Sequence, residues 1–393
     1  MRIRAAVLRE YRTPLEVCEL ELDPPRQGEV LVRVAVAGVC HSDLHLADGH
    51  LGDGRHPTVL GHEGAGLVEA VGEGVAHVGA GDPVAFCLVP ACGTCAACAA
   101  GRRNLCESAA AAAWAGTLLD GTTRLRFTDG RPVKHFNFVS CFAERCVVPA
   151  ASAVPIPAAL PLWQAALLGC GVVTAVGAVR NAARVAVGET VCVIGCGGVG
   201  LQLVAAARLA GAGRVIAVER DAAKLELALA RGASHAVAVD GEADPAARVL
   251  ALAPGGVDHA FEAVGSAATI RLAWDVLRPG ATATVVGIAP AGVEVALPAL
   301  ELLSEKGLRG SYYGSGDAAA LLASMAEMTA AGRFPVADVV THVTGLDGID
   351  AAFARLRSGE GARTVAVIDR ALAGDPEPVR PQPGRLRTGT HTT

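Results

Sequence analysis

The segment that most restricts the possible folds lies between residues 189 and 219. Glu189-Thr190-Val191-Cys192-Val193-Ile194 is a short continuous apolar run, the pattern of a strand buried on both faces. Gly195-Cys196-Gly197-Gly198-Val199-Gly200 follows without a gap, then a helical run at 201–209 and a second apolar run, Arg214–Glu219. A G-x-G-x-x-G pattern alone says little. Between a strand and a helix, with a carboxylate about 20 residues further on, it reads as a dinucleotide-binding turn. Gly195 permits the tight turn, Gly197 lets a pyrophosphate approach the backbone, and Gly200 lets helix and strand pack closely. The helix N-terminus at Gly198 and Val199 presents unpaired N–H groups and a positive dipole end to phosphate. Glu219 is placed to accept hydrogen bonds from adenosine ribose hydroxyls and to repel a 2′-phosphate. That favours NAD over NADP, although Arg220 adjoins it. The competing reading is a domain in which the glycines only turn the chain.

Strand–helix alternation continues beyond this unit. Residues 257–264, 281–288, 308–313 and 364–368 read as strands, and 317–333 and 346–358 as helices. This predicts a Rossmann-type, doubly wound parallel sheet. The first part of the chain lacks the alternation. Ala5-Ala6-Val7-Leu8, the run at 29–36, and those at 66–72 and 82–86 are short β-type stretches punctuated by Pro24-Pro25 and Gly28. Two domains of different class are expected, and 393 residues suffice for both.

Cys92-Gly93-Thr94-Cys95-Ala96-Ala97-Cys98, with Cys106 beyond it, is a C-x2-C-x2-C-x7-C array. Four thiolates on one loop can enclose a tetrahedral Zn²⁺ and leave no position for substrate, which is a structural site. An iron–sulfur cluster is an alternative cargo for the same ligands. A nucleic-acid-binding zinc ribbon is another, but Arg102 and Arg103 in a chain of net charge −5 make a poor phosphate-binding surface. The same charge argues against an anionic membrane partner. Met1-Arg2-Ile3-Arg4 leads into no apolar signal segment, so a reducing cytoplasm is expected. The other cysteines, Cys18, Cys87, Cys141, Cys146, Cys192 and Cys196, read as small buried residues. Residues 160–179 are free of charge. They read as a buried helix-turn-helix at a domain junction rather than as a membrane span. Residues 109–113 are an alanine run, 116–138 a polar surface excursion, and 371–393 a disordered tail.

A second cluster starts at Cys40-His41-Ser42-Asp43-Leu44-His45 and ends at Gly61-His62-Glu63. A catalytic zinc takes three protein ligands and keeps one position open. Cys40 and His62 are candidates, and Cys170 in Leu168-Gly169-Cys170-Gly171 is the best third. Each residue alone is more often just a small buried side chain; their company argues otherwise.

Together these features resemble the zinc-dependent alcohol dehydrogenases of the medium-chain dehydrogenase/reductase superfamily. The resemblance spans residues 1–369 and includes the signature Gly61-His62-Glu63-Gly64-Ala65-Gly66, with Gly72 and Val75. It implies a β-rich, chaperonin-10-like (GroES-like) catalytic domain at 1–171 with a metal lobe at about 87–112. An NAD-binding Rossmann domain at 172–312 and a return to the catalytic domain at 313–370 follow. It also implies two zinc ions per chain. Cys40, His62 and Cys170 would hold the catalytic ion, and Cys92, Cys95, Cys98 and Cys106 the structural one. Glu63 matches the acid near the metal, Asp43 the partner that orients His62, Ser42 the hydroxyl that takes the substrate proton, and His45 the base that passes it to solvent. His41 and Arg363 match pyrophosphate contacts, Thr174 a residue beside the nicotinamide, and Lys224 an adenosine-ribose contact. His50 and His56 match nothing and read as surface residues, His50 with the option of lining the substrate cleft.

The implied reaction is the reversible oxidation of a small alcohol to an aldehyde or ketone, with hydride passing to NAD. Two departures from the pattern bear on the substrate. Ala110 stands where members acting on the glutathione adduct of formaldehyde carry Arg, and Gly49-His50-Leu51 where they carry acidic residues. Another thiol adduct of formaldehyde remains an alternative. A zinc-free quinone reductase would lack the ligand cysteines, and a non-catalytic zinc-binding module would not need the relay and the glycine turn. The excursion at 116–138 resembles an insertion in dimeric members, which suggests a homodimer.

Overall fold

The computed structural model describes residues 1–379 apart from Asp53, Asp240, Glu242 and Ala243. The chain divides into two compact units. One comprises Met1–Ala182, Pro290–Gly292 and Ser311–Pro378, and the other is built from Ala183–Ala289 and Val293–Gly310.

The first unit is β-rich. Its organising strand, Glu29–Val39, has the sequence EVLVRVAVAGV and is buried along almost its whole length. It pairs with Gly64–Val71 on one side and, on the other, with Arg145–Pro149 along its first half and Arg363–Val367 along its second. The sheet continues through Pro83–Phe86 and Ala153–Pro155 at one end and Val340–Gly345 at the other. Val32, Val34, Leu60, Phe86, Phe142 and Phe353 fill the core beside it.

A closed barrel completes this unit, formed by Arg2–Leu8, Glu16–Leu22, Leu125–Phe127, Pro132–His135 and Thr58–Val59. The segment read as a polar surface excursion therefore supplies two of the barrel strands. Its polar look arises from Arg124, whose side chain is wholly buried. The Arg124 guanidinium bonds Glu29 through Nε at 2.8 Å and also reaches Asp120. The Arg124 backbone N–H donates to His135 Nε2 at 3.2 Å. A buried cation is tolerated only when it is paired in this way.

Residues 160–179 also depart from expectation. From Leu162 on they belong to one helix, Leu162–Ala183, most of which is buried. Two stretches, Leu168–Val172 and Ala178–Ala183, have π geometry. Gly169, Cys170 and Gly171 are weak helix formers, and a π turn absorbs them without breaking the helix. It is the one described helix long and apolar enough to cross a membrane, and its burial within the protein accounts for that composition.

The second unit holds a six-stranded parallel sheet in the order His235–Ala238, Arg214–Glu219, Thr190–Ile194, Val257–Glu262, Leu277–Val285, Gly307–Gly310. In chain order that is 3-2-1-4-5-6, the doubly wound dinucleotide-binding arrangement. The Rossmann and GroES-like classes expected from the sequence are both present. At the end of the chain, Arg370–Ala373 forms a short helix with Ala373 buried, so the expected tail does not start at 371. Residues 380–393 of that tail lie outside the described residues.

Candidate metal centres and dinucleotide turn

Helix His41–Ala47 begins immediately after the central strand, and Cys40 is its N-cap. The strand therefore delivers Cys40, buried at 4% exposure, to one fixed point. His62 and Glu63, both fully buried, precede the strand Gly64–Val71 that pairs beside it. Cys170 arrives on the π turn of the long helix. Donor atoms of Cys40, His62, Glu63 and Cys170 all lie within 4.8 Å of one another, and His62 Nε2 is 3.3 Å from Cys170 Sγ. Donors around a tetrahedral zinc stand roughly 3.3–3.8 Å apart, so two sulfurs and one imidazole here fit such an ion.

The surroundings support this fit. Asp43, wholly buried, accepts the Gly61 N–H through Oδ1 at 2.8 Å. Its Oδ2 stands 3.1 Å from His62 Nδ1, off the line of a good hydrogen bond, and neither atom has another partner. The carboxylate turns the ring so that Nε2 faces the cysteines, as metal-binding histidines require. Cys40 is held well below the usual thiol range, foremost by the hydrogen bond from Cys170. Burial opposes this, and Arg363 and His62 add to it. Burial acts to lower His62, but Asp43 and Cys40 hold it well above its ordinary value. Glu63 is pushed up to about 7 by burial, against the pull of Arg363. The Arg363 guanidinium contacts Glu63 Oε2 and donates to the Val39 carbonyl at 3.3 Å, leaving the residue 5% exposed. The expected pyrophosphate contact is thus buried against an acid beside the candidate metal ligands.

Ser42 Oγ lies 3.7 Å from Cys40 Sγ. His45, one turn along the same helix, is half-buried, and its Nδ1 is 3.3 Å from Nδ1 of His50. Burial first, then the neighbouring rings of His41 and His50, lower the His45 pKa. His50, read from the sequence as a surface residue, is half-buried and paired. It follows the helix end, and no motif signals it. His41 is exposed, and Thr174 is half-buried four residues after Cys170.

Cys92, Cys95, Cys98 and Cys106 also bring their sulfurs within 4.8 Å of one another. Cys92 Sγ receives the Cys95 N–H at 3.4 Å, and Cys106 Sγ the Cys92 N–H at 3.3 Å. The backbone N–H groups of Thr94 and Cys95 lower the Cys92 pKa to about 5, so it is a ready thiolate ligand. Cys18, expected to be buried, is half-exposed on its barrel strand; Cys87, Cys141, Cys146, Cys192 and Cys196 are buried.

In the second unit, Gly195 has φ 88° at the strand end. A Cβ on Gly200 would lie 1.8 Å from the Gly195 carbonyl oxygen, so turn and helix meet only because that side chain is missing. At Gly197 a Cβ would meet nothing, leaving an open cradle over the N-terminus of helix Gly198–Leu209 that suits a phosphate. Glu219 accepts the N–H of Cys196 at 2.8 Å and of Arg220 at 2.8 Å, which ties the carboxylate to the turn. Arg220 is exposed, and Lys224 is half-buried on helix Ala222–Ala230.

Comparison with known proteins bears on this arrangement. Residues 26–158 match the alcohol dehydrogenase GroES-like domain, and residues 198–327 match the zinc-binding dehydrogenase domain. An S-(hydroxymethyl)glutathione dehydrogenase of Photobacterium damsela subsp. piscicida is 38% identical over 367 residues, covering 93% of this chain and 99% of its own. The crystal structure of an alcohol dehydrogenase zinc-binding domain protein from Burkholderia ambifaria superposes with a TM-score of 0.89 at 35% identity, over 94% of this chain and 100% of that one. Benzyl alcohol dehydrogenase from Acinetobacter calcoaceticus gives 0.88 at 30% identity, again over 94% and 100%.

Proposed function

Since the chain belongs to the zinc-dependent alcohol dehydrogenases of the medium-chain dehydrogenase/reductase superfamily, we propose that it oxidises a small alcohol to an aldehyde or ketone with NAD as hydride acceptor. The observation that carries this reading is the convergence of Cys40, His62 and Cys170 beside Ser42. When bound, zinc supplies a Lewis acid that polarises the alcohol oxygen, and NAD supplies the hydride acceptor. The side chains do the rest. Asp43 orients His62, and Glu63 with Arg363 keeps a compensated charge pair behind the ligands. Ser42 takes the alcohol proton, and His45, kept neutral at pH 7 by its lowered pKa, carries it outward. Cys92, Cys95, Cys98 and Cys106 hold a second, structural zinc. In the second unit the glycine turn takes the pyrophosphate, and the Glu219 carboxylate, beside the ribose, favours NAD over NADP.

A second substrate reading, an adduct of formaldehyde with a thiol, draws on the name of the Photobacterium relative. Ala110 and the Gly49-His50-Leu51 stretch offer no charge to a glutathione moiety, so a different thiol suits this chain better. Homodimer formation is supported by the edge strand Gly307–Gly310 and by Leu300 and Leu303 beside it, 78% and 82% exposed. Leu303→Asp is then expected to yield monomers by light scattering. Free thiols throughout suit the cytoplasm.

The test is metal analysis together with nicotinamide absorbance over aliphatic, aromatic and thiol-adduct alcohols. Wild type is expected to carry two zinc ions per chain, and Cys40→Ser one ion, a native circular-dichroism spectrum and turnover reduced by at least about a thousandfold. A Cys40→Ser chain that keeps full turnover would falsify the assignment.

A further inference from the structure

Where the first unit resumes, at Ser311, the backbone does something costly. Tyr313, Gly314 and Ser315 all have left-handed φ, at 47°, 78° and 52°. For Tyr and Ser that conformation crowds Cβ, and it persists only where surrounding contacts enforce it. Those contacts come from two directions.

On one side the strap grips the helix that carries Cys170. Tyr313 is 3% exposed; its hydroxyl donates to the Gly169 carbonyl at 2.5 Å and accepts the Leu88 N–H at 3.1 Å. Gly169 immediately precedes Cys170 within the π turn, so this hydroxyl fixes the peptide that leads into the ligand. Asn181 Nδ2 donates to the Gly314 carbonyl at 2.9 Å, and a Cβ on Gly177 would lie 2.3 Å from Gly314 Cα. On the other side the strap is held by the four-cysteine lobe. Asn104, between Cys98 and Cys106 and 5% exposed, donates its backbone N–H to the Gly316 carbonyl at 3.0 Å. Its side-chain Nδ2 donates to the Tyr312 carbonyl at 2.8 Å. Arg103 adds an exposed ion pair with Asp317 at 2.8 Å, which contributes little.

We propose that the four-cysteine lobe sets how firmly Cys170 is presented to the catalytic metal, with Asn104 and Tyr313 as the positioning residues. The inference rests on the two-metal reading above. An ion in the lobe orders the loop from Cys98 to Cys106 and so fixes Asn104. Asn104 holds the strap in its left-handed path, and the strap holds the Gly169–Cys170 peptide through Tyr313. Emptying the lobe releases Asn104, lets the strap relax, and leaves the Gly169 carbonyl without its partner. The lobe is then more than a stabilising clip, because it and the catalytic site are linked through one strained segment. Such a linkage is reciprocal in binding free energy.

The experiment follows zinc transfer from the full chain to a colorimetric chelator, for wild type, Tyr313→Phe and Asn104→Ala. None of the zinc ligands is altered, so all three are expected to start with two ions per chain. In both variants the catalytic ion is expected to leave on the order of tenfold faster. Cobalt substituted at the catalytic site is expected to show altered thiolate-to-metal absorption. Because the linkage is reciprocal, the lobe ion in Tyr313→Phe is also expected to leave faster than in wild type, although its own ligands are untouched. Trp274→Leu, chosen to lower Tm through the core of the second unit, is expected to change neither the cobalt spectrum nor the release. If Tyr313→Phe fails to fold, Asn104→Ser, which removes the side-chain bond to the Tyr312 carbonyl and leaves Tyr313 in place, carries the test. Wild-type release in both variants, from chains holding two ions, overturns this inference alone. A wild-type chain that binds fewer than two ions overturns the metal reading and this inference with it.

Discussion

At His45 the sequence suggests a role but not a setting. The family resemblance carries the proposed relay role to it, and only the structure gives it His50 as a partner at 3.3 Å. Burial, then His41 and His50, keep its pKa below 6.5, so the ring is neutral and able to accept a proton at pH 7 and gains one only in more acidic solution. His45→Ala is expected to lower kcat by about ten- to a hundredfold at pH 6 and by much less at pH 9, where hydroxide substitutes. A pH–rate profile of the two proteins checks this. His135 behaves differently. Burial first, then Arg124, depress its pKa to about 3, and its Nε2 accepts the Arg124 N–H. The unfolded chain therefore binds a proton near pH 6.5 that the folded chain refuses. Stability falls as pH drops from about 6.5 toward 3, at up to about 1.4 kcal/mol per pH unit. In urea titrations at pH 7 and pH 5, His135→Gln should lose less stability between the two than wild type does. The two clusters of candidate ligands were legible as clusters because metal chemistry restricts residue type and spacing. His50, Tyr313 and Asn104 were not, because a partner brought in by folding leaves no pattern along the chain.

At the scale of elements, the turn Gly195–Gly200 was legible because its glycines answer to steric demands. The 1.8 Å clash at Gly200 leads to a prediction. Gly200→Ala must push helix Gly198–Leu209 off its strand, at a cost of about 1–3 kcal/mol. KM for NAD should rise on the order of tenfold as the N–H groups leave the phosphate. Thermal melts and steady-state kinetics measure the two effects. The parallel strands were readable as continuous apolar runs, with ends displaced by a few residues. The barrel strands Leu125–Phe127 and Pro132–His135 were not, because Arg124, Thr122 and Asp120 give that stretch the composition of a loop. Paired with Glu29, the Arg124 charge is part of the core, while Asp120 and Thr122 stay at the surface. The helix Leu162–Ala183 was misread as two helices for a related reason. Glycines that suggest a break are accommodated by π turns, and the turn at Cys170 is where the helix brings that thiol to Cys40 and His62.

At the scale of the molecule, the first unit cannot be completed from the N-terminal part of the chain. Arg363–Val367 lies directly beside Glu29–Val39, with Thr364 opposite Val39, and Arg363 closes over Glu63. A chain ending at residue 359 should therefore keep the lobe zinc and lose the catalytic one, whereas one ending at 379 keeps both; zinc per chain by mass spectrometry decides this. Both fold classes were legible from the change of pattern along the chain, but the boundary expected at 172 falls inside the long helix, and the second unit starts at Ala183. That the last strand completes the first sheet was carried by the family resemblance, since a five-residue apolar run fits either unit. The delay built into this arrangement also governs biosynthesis. Val39 and Arg363 are 324 positions apart, so a ribosome needs roughly 20–60 s to join them. Throughout that interval Cys40 sits in an unfinished sheet. On the two-zinc reading proposed above, the loop bearing Cys92 to Cys106 would be able to capture its ion during translation, whereas the catalytic ion would wait for the finished polypeptide.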